Sequence, residues 1–248
     1  AHRELLEETG YSASFMKKIG EFYPFPSVSD QKIVLFLAKQ AFAGMVISLD
    51  DYLGLHYYLA PAFKPHQFIT YIFMHADLMH IFFNMMGVYI FGQVLESIWG
   101  PKRFLVFYLL TGLGAALPEY LVMHVKLTAL INDINLQQAS RDWTGLSLND
   151  AIEMKEQILN NFVIIGASGS LFGLMGGFAM LFPNRYLYLL FFPPVKAKWF
   201  VLGYGLIELF SGIAGNPGDN TAHFAHVGGL VVGILIILFW RKNSRTFY

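Results

Sequence analysis

The sequence predicts an all-α fold, a polytopic bundle of membrane helices, and three observations carry that expectation. Hydrophobic residues make up 55% of the 248 and charged residues only 14%, whereas soluble domains hold roughly a quarter charged residues. The apolar residues gather into runs of membrane length, since a spanning helix needs about 20 of them. Polar segments separate the runs, and Lys and Arg are distributed unevenly among those segments. Lys+Arg and Asp+Glu number 17 each, so the chain lacks the basic surplus of a nucleic-acid binder, and no nucleic-acid partner is expected. With no cysteine, disulfide frameworks, thiol nucleophiles and Cys-ligated metals are excluded.

Residues 1–32 are polar and charged and lack the apolar core of a cleavable signal peptide. Residues 33–49 form a poor first span, because Lys39 and Gln40 sit near the middle and a central charge costs about 2.5–3.5 kcal/mol on the insertion scale. Residues 51–67 mix Tyr57, Tyr58 and Phe63 with polar side chains, which suits a segment at the membrane interface. Five runs follow, at 78–98, 104–125, 162–182, 199–215 and 221–240. The longest polar interruption, an insertion at 126–161, has no membrane character, 186–194 is apolar but too short to span, and 211–220 is a Gly/Pro/Asn loop. If six helices alternate from a cytoplasmic N-terminus, twelve of the 17 basic residues fall on the cytoplasmic side. Lys64, Lys126, Arg141 and Lys155 fall opposite, and Lys39 is left over. The positive-inside rule then places both termini in the cytoplasm, and the expected location is a bacterial inner (plasma) membrane.

Polar groups inside the runs are expensive, so they are where function is sought. His80 and Asn84 stand four apart on one helix face, and both can donate hydrogen bonds. His75 lies five residues before His80, which is not the i, i+4 spacing of a helical zinc site, so no metal and no cofactor are expected. Ser168 lies between Gly166 and Gly169, with Phe172 on its face one turn later. His226 precedes Gly229 and Gly233, a GxxxG face that lets another helix approach closely. Together these clusters supply a nucleophile, a base and two oxyanion donors. No acidic residue suggests itself as a third member, so a Ser–His dyad, with the imidazole held by packing, is the economical arrangement. For any one of these residues the bland alternative is a structural hydrogen bond between helices.

The three motifs in this order resemble the rhomboid family of intramembrane serine proteases. That family's H-x4-H-x3-N, G-x-S-G and A-H-x2-G-x3-G patterns are matched by His75, His80 and Asn84, by Gly166, Ser168 and Gly169, and by Ala225, His226, Gly229 and Gly233. The resemblance covers roughly residues 41–245 and implies a rhomboid-like six-helix core with an atypical first helix. It implies Ser168 as nucleophile, His226 as general base, and His80 and Asn84 as oxyanion donors, with the Ser168 backbone N–H beside them. Phe172 takes the place of an aromatic, commonly Tyr, that packs on the imidazole. His66-Gln67 stands where the family often has Trp-Arg, and Glu96 matches a frequent Glu. The implied function is cleavage of transmembrane protein substrates within the lipid bilayer. The alternative is a rhomboid-like pseudoprotease that binds or escorts membrane clients, although such proteins typically lack the Ser/His pair.

Residues 1–40 resemble a different family. Arg3-Glu4-Leu5-Leu6-Glu7-Glu8-Thr9-Gly10-Tyr11 is similar to the second half of the Nudix box, whose glutamates bind Mg²⁺, and residues 22–33 continue the likeness. The first half of the box is absent and about 40 residues cannot build that fold, so the segment is expected to be a fragment without Nudix activity and not an independent domain. The join should fall in the first apolar run, with residues 33–40 as a Nudix-type strand and Ala41 onward as the end of a first helix.

Overall fold

The computed structural model describes residues 12–22, 33–42, 49–139, 156, 159–188, 193–215, 219 and 221–243. The Nudix-like residues Arg3, Glu4, Glu7 and Glu8 and most of the polar stretch after residue 139 lie outside these.

The first apolar run is not a helix where it is described. Strand β1 (Ser12–Phe22) pairs antiparallel with β2 (Ile33–Phe42), so residues 33–40 form the strand that the Nudix likeness implies. Ala41 and Phe42 continue it instead of beginning a helix, and residues 43–48 lie outside the described segments. The β-branched and aromatic content of this stretch suits a strand, and a strand carries Lys39 without placing it at the centre of a membrane span.

Residues 49–73 form a compact layer: α1 (Leu49–Leu53), strand β3 (Leu55–His56), α2 (Gln67–Thr70) and a 3₁₀ turn over Tyr71–Phe73. Gln67 is fully buried at the centre of it. Its Oε1 accepts the His56 and Lys64 N–H groups, and its Nε2 donates to the Ala62 carbonyl at 2.9 Å. One neutral amide thus organises the layer from within, and the buried backbone groups find partners as they must.

Among the described residues five long helices follow: α3 (Leu78–Trp99), α4 (Pro101–Ala139), α5 (Ser168–Leu181), α6 (Ala197–Ala214) and α7 (His223–Asn243). Four are long and apolar enough to cross a membrane, and α5 is apolar but shorter. The Asp77 carboxylate caps α3, accepting the His80 N–H at 2.7 Å. Gly100 ends α3 at φ 74°, and Pro101, with no N–H to leave unpaired, starts α4. The expected span 104–125 is part of a longer helix, because α4 runs unbroken to Ala139. At 1.5 Å per residue it is about 58 Å long, nearly twice the hydrocarbon thickness. The first part of the polar insertion is therefore a helical extension beyond the membrane. Helix propensity remains good there even where hydropathy fails.

The run expected at 162–182 also divides. Val163–Ile164 is a short strand (β4) paired with β3, and the helix begins only at Ser168. Between them Gly166 adopts φ 124° and donates its N–H to the Tyr71 carbonyl at 2.9 Å. That conformation suits glycine and ends the strand. At the far end β5 (Tyr186–Leu187) and β6 (Val195–Lys196) form a hairpin leading into α6.

Helix α5 sits inside the bundle between α4 and α7. A Cβ on Gly169 would meet Ala115 of α4 at 2.5 Å, and one on Gly173 would overlap Thr111. On the other side a Cβ on Gly233 would lie 2.5 Å from the Gly173 carbonyl oxygen, and one on Gly229 would overlap the Gly169 carbonyl oxygen. Small residues on both α5 and α7 thus bring the backbones into contact. Two hydroxyls buried between elements reach backbone carbonyls of α4: Ser170 Oγ donates to the Tyr108 carbonyl at 2.9 Å and Tyr71 OH to the Gly112 carbonyl at 2.6 Å. The outer faces carry Phe82, Leu117, Leu121, Phe210 and Phe239, all exposed. Water would not tolerate an apolar surface of that extent, and lipid does.

Candidate active site

Ser168 is the first residue of α5, and that position follows from the Gly166 turn. His226 lies in the first turn of α7. The start of α7 is held by Glu119 of α4, whose Oε2 accepts the Phe224 and Ala225 N–H groups at 3.1 and 3.3 Å. This carboxylate answers two of the unpaired donors that every helix start leaves. With both helix starts fixed and the glycine faces in contact, Ser168 Oγ lies 2.7 Å from His226 Nε2.

Phe172 stacks on the His226 ring, with centroids 4.5 Å apart and planes 5° from parallel. Tyr204 of α6 packs against Phe172, with ring centroids 4.9 Å apart. His80 approaches from α3: a Cβ on Gly166 would stand 2.9 Å from His80 Nε2 and 3.6 Å from Ser168 Oγ. Both its φ and the imidazole beside it therefore require glycine at 166. Asn84 is buried one turn below His80, with Nδ2 donating to the His80 carbonyl at 2.9 Å. A cavity of about 770 Å³ opens between α3, α5, α6 and the start of α7, and Asn84, Ser168, Met175, Phe200, Tyr204 and His226 are among its lining residues.

His75 precedes α3 and packs edge-on against His80. Its Nε2 accepts the Ala167 N–H at 3.5 Å, so it steadies the residue before Ser168. Burial, with His80 adding to it, pushes the His75 imidazole down to about 4. Between pH 6.5 and 4 the unfolded chain binds a proton that the folded chain refuses. The stability contributed by neutral His75 is therefore complete above pH 6.5 and is lost as pH falls through 4. The thermal midpoint of the detergent-solubilised protein should fall over that interval, and fall less in His75→Gln. Equal declines in the two proteins would remove His75 from the balance.

The structure brings together every site residue read from the sequence, and it adds one that the sequence reading missed. Glu208 of α6 is 6% exposed, and its Oε2 lies 2.7 Å from Nδ1 of both His226 and His223. The expectation of an imidazole held by packing alone does not describe this geometry. A signal was available. The buried face of α6 is Ala197, Val201, Gly205 and Glu208, spaced by four, four and three residues, so helical periodicity places the carboxylate on the inner stripe. Glu208, His223 and His226 are also the three residues, among those described, whose ligand atoms lie within 4.8 Å of one another and could share an ion. Here the imidazoles face the carboxylate directly. Glu96, the acidic residue noted from the sequence, is buried near the C-terminal end of α3, away from His80.

Fold and site together define a multi-pass integral membrane protein with a Ser–His pair facing a cavity among its helices. The rhomboid domain model matches residues 62–243, and the chain belongs to the rhomboid family. It is 30% identical over 185 residues to RHOMBOID-like protein 12, mitochondrial, of Arabidopsis thaliana, covering 73% of this chain and 48% of that protein. It is 26% identical over 163 residues to Rhomboid protein 1, mitochondrial, of Saccharomyces cerevisiae, covering 66% and 38%. It is 24% identical over 186 residues to Rhomboid protease GlpG of Salmonella newport, covering 74% and 51%. The chain thus spans about half the length of these curated relatives.

Proposed function

We propose that this protein is an intramembrane serine endopeptidase that cleaves peptide bonds in or near the transmembrane segments of other membrane proteins. The observation that carries this reading is the 2.7 Å contact between Ser168 Oγ and His226 Nε2 at the wall of a cavity lined by α3, α5, α6 and the start of α7. Ser168 Oγ attacks the scissile carbonyl carbon while its proton passes to His226 Nε2. His226 then protonates the leaving amine, and a water deprotonated by the same nitrogen releases the acyl-enzyme. Developing charge on the carbonyl oxygen meets His80 Nε2–H, the second hydrogen of Asn84 Nδ2 and the Ser168 backbone N–H, which is free at the helix start. The relative named a rhomboid protease supports the same chemistry.

The charge pattern supports an orientation. Arg103 lies over the Trp240 ring and Arg241 donates to the Met180 carbonyl. The α3–α4 turn, the end of α5 and the end of α7 therefore share one basic end of the bundle. The positive-inside rule places that end in the cytoplasm and the Ser168 end near the opposite surface.

The test is incubation of the purified protein in liposomes with a membrane protein bearing one transmembrane segment. Two fragments cut within or beside that segment are expected. Client binding without any cleavage would favour the pseudoprotease instead. Asn84→Ala should slow turnover by up to about 10²–10³-fold if the amide is a full oxyanion donor. Unchanged turnover would assign Asn84 to packing.

A further inference from the structure

Glu208 has no part in the attack and proton transfer described above, and it is a carboxylate on the inner stripe of a membrane helix. An acid placed there without partners would be costly. Its partners are specific. One oxygen, Oε2, faces Nδ1 of His226 and Nδ1 of His223, both at 2.7 Å, and the other nitrogen of His223, Nε2, faces Asp219 Oδ2 at 3.0 Å. A hydrogen-bonded chain therefore runs from Asp219, at the end of the bundle, through His223, Glu208 and His226 to Ser168.

We propose that Glu208 is the third member of the hydrolytic constellation, a positioning carboxylate that orients His226 and offsets the charge it gains. The proposal rests on the reading of Ser168 and His226 as nucleophile and base.

Two physical points support it. The first concerns orientation. Stacking on Phe172 fixes the plane of the His226 ring, but a stacked face does not choose which nitrogen points at Ser168. Phe172 also has no hydroxyl with which to hold the ring. A carboxylate at Nδ1 makes that choice: Nδ1 carries the hydrogen and donates it to Glu208, so Nε2 keeps the lone pair that receives the Ser168 proton. The second concerns charge. Both nitrogens of His223 face carboxylate oxygens, so both donate and that ring is an imidazolium. Asp219, His223 and Glu208 together then carry one negative charge. When the Ser168 proton moves to His226, the new imidazolium cancels it. The proton does not pass from His226 to Glu208, which remains ionised throughout, as the acid of a Ser–His–Asp triad does.

Glu208→Gln keeps the shape and one acceptor oxygen and removes the charge. In a soluble triad the corresponding amide substitution lowers kcat by about 10⁴-fold, and here a fall of at least about 10²-fold in kcat is expected, with KM and the thermal midpoint near wild type. Glu208→Asp, which retains the charge on a shorter arm, should recover part of the loss. A serine-directed phosphonate probe reports Ser168 activation without substrate entry, and its labelling rate should fall in step with kcat. Wild-type kcat and labelling rate in folded Glu208→Gln would overturn the proposal, and so would a change confined to KM, which would make Glu208 a tie between α6 and α7. An unlabelled wild-type protein, or labelling that survives in Ser168→Ala, would instead overturn the underlying assignment of the nucleophile. If the Gln variant does not fold, ¹⁵N-histidine NMR of the wild-type protein decides. A strongly downfield proton on His226 Nδ1 is expected, and a hydrogen on Nε2 in its place would overturn the proposal.

Discussion

Ser168→Ala should reduce cleavage of a transmembrane substrate to the level of a blank, and His226→Ala should do the same. The two side chains act as one unit, with 2.7 Å between Oγ and Nε2. Removing either leaves the other without a function: the hydroxyl loses its proton acceptor, or the imidazole loses its nucleophile. In soluble serine proteases, loss of the nucleophile or the base alone costs on the order of 10⁶-fold in kcat, about as much as losing the whole triad. The double variant Ser168→Ala/His226→Ala should therefore be no worse than either single one. Both substitutions leave the backbone contact between α5 and α7 untouched; Ser168→Ala should retain the wild-type thermal midpoint, whereas His226→Ala, which removes a buried ring stacked on Phe172 and bonded to Glu208, should lower it. Appreciable cleavage by purified Ser168→Ala would refute the protease reading outright. Losses that multiply in the double variant would show that the two residues act separately.

Gly229→Val is expected to abolish activity without altering any catalytic atom. A side chain at 229 would run into the Gly169 carbonyl oxygen, and that obstacle is backbone that cannot rotate away. Gly169 follows Ser168 and Gly229 lies one turn beyond His226, so any shift that relieves the clash moves the base away from the nucleophile. A misplacement of about 1 Å can cost 10²-fold, and two branched methyl groups need more than that. Gly203 provides the control. It lies on α6 with nothing within 4 Å of an added Cβ, so Gly203→Ala should cleave at the wild-type rate. If Gly229→Val retained full activity, close contact between α5 and α7 would not be what sets the Ser–His distance. If Gly203→Ala failed as well, the loss in Gly229→Val could not be assigned to its contact.

The sequence carried the architecture because membrane helices are written in local terms. A run such as 78–98 must satisfy its own backbone in lipid, so hydropathy and length alone place α3 to within a residue. The GxxxG at Gly229 and Gly233 was similarly legible, since close approach needs only the absence of side chains at one helical spacing. Boundaries were less legible where a partner from elsewhere in the chain decides them. The run at 162–182 looks continuous, yet pairing of Val163–Ile164 with Leu55–His56 and the bond from Gly166 to Tyr71 hold its first residues out of the helix. Hydropathy also ended the second long helix near residue 125, because it records where lipid stops and not where a helix stops.

The sequence by itself determined the membrane class, the order of the long helices and the candidates Ser168, His226, His80 and Asn84, though not Glu208. Those properties depend on composition and on spacings within single helices. The tertiary structure alone decided which polar groups meet. Glu119 and Phe224 are 105 residues apart, Ser168 and His226 are 58 apart, and Glu208 and His226 are 18 apart. No periodicity within one helix encodes such encounters. They follow from how α4, α5, α6 and α7 pack, and packing set the carboxylate of Glu208 against the imidazole that the sequence had left without a partner.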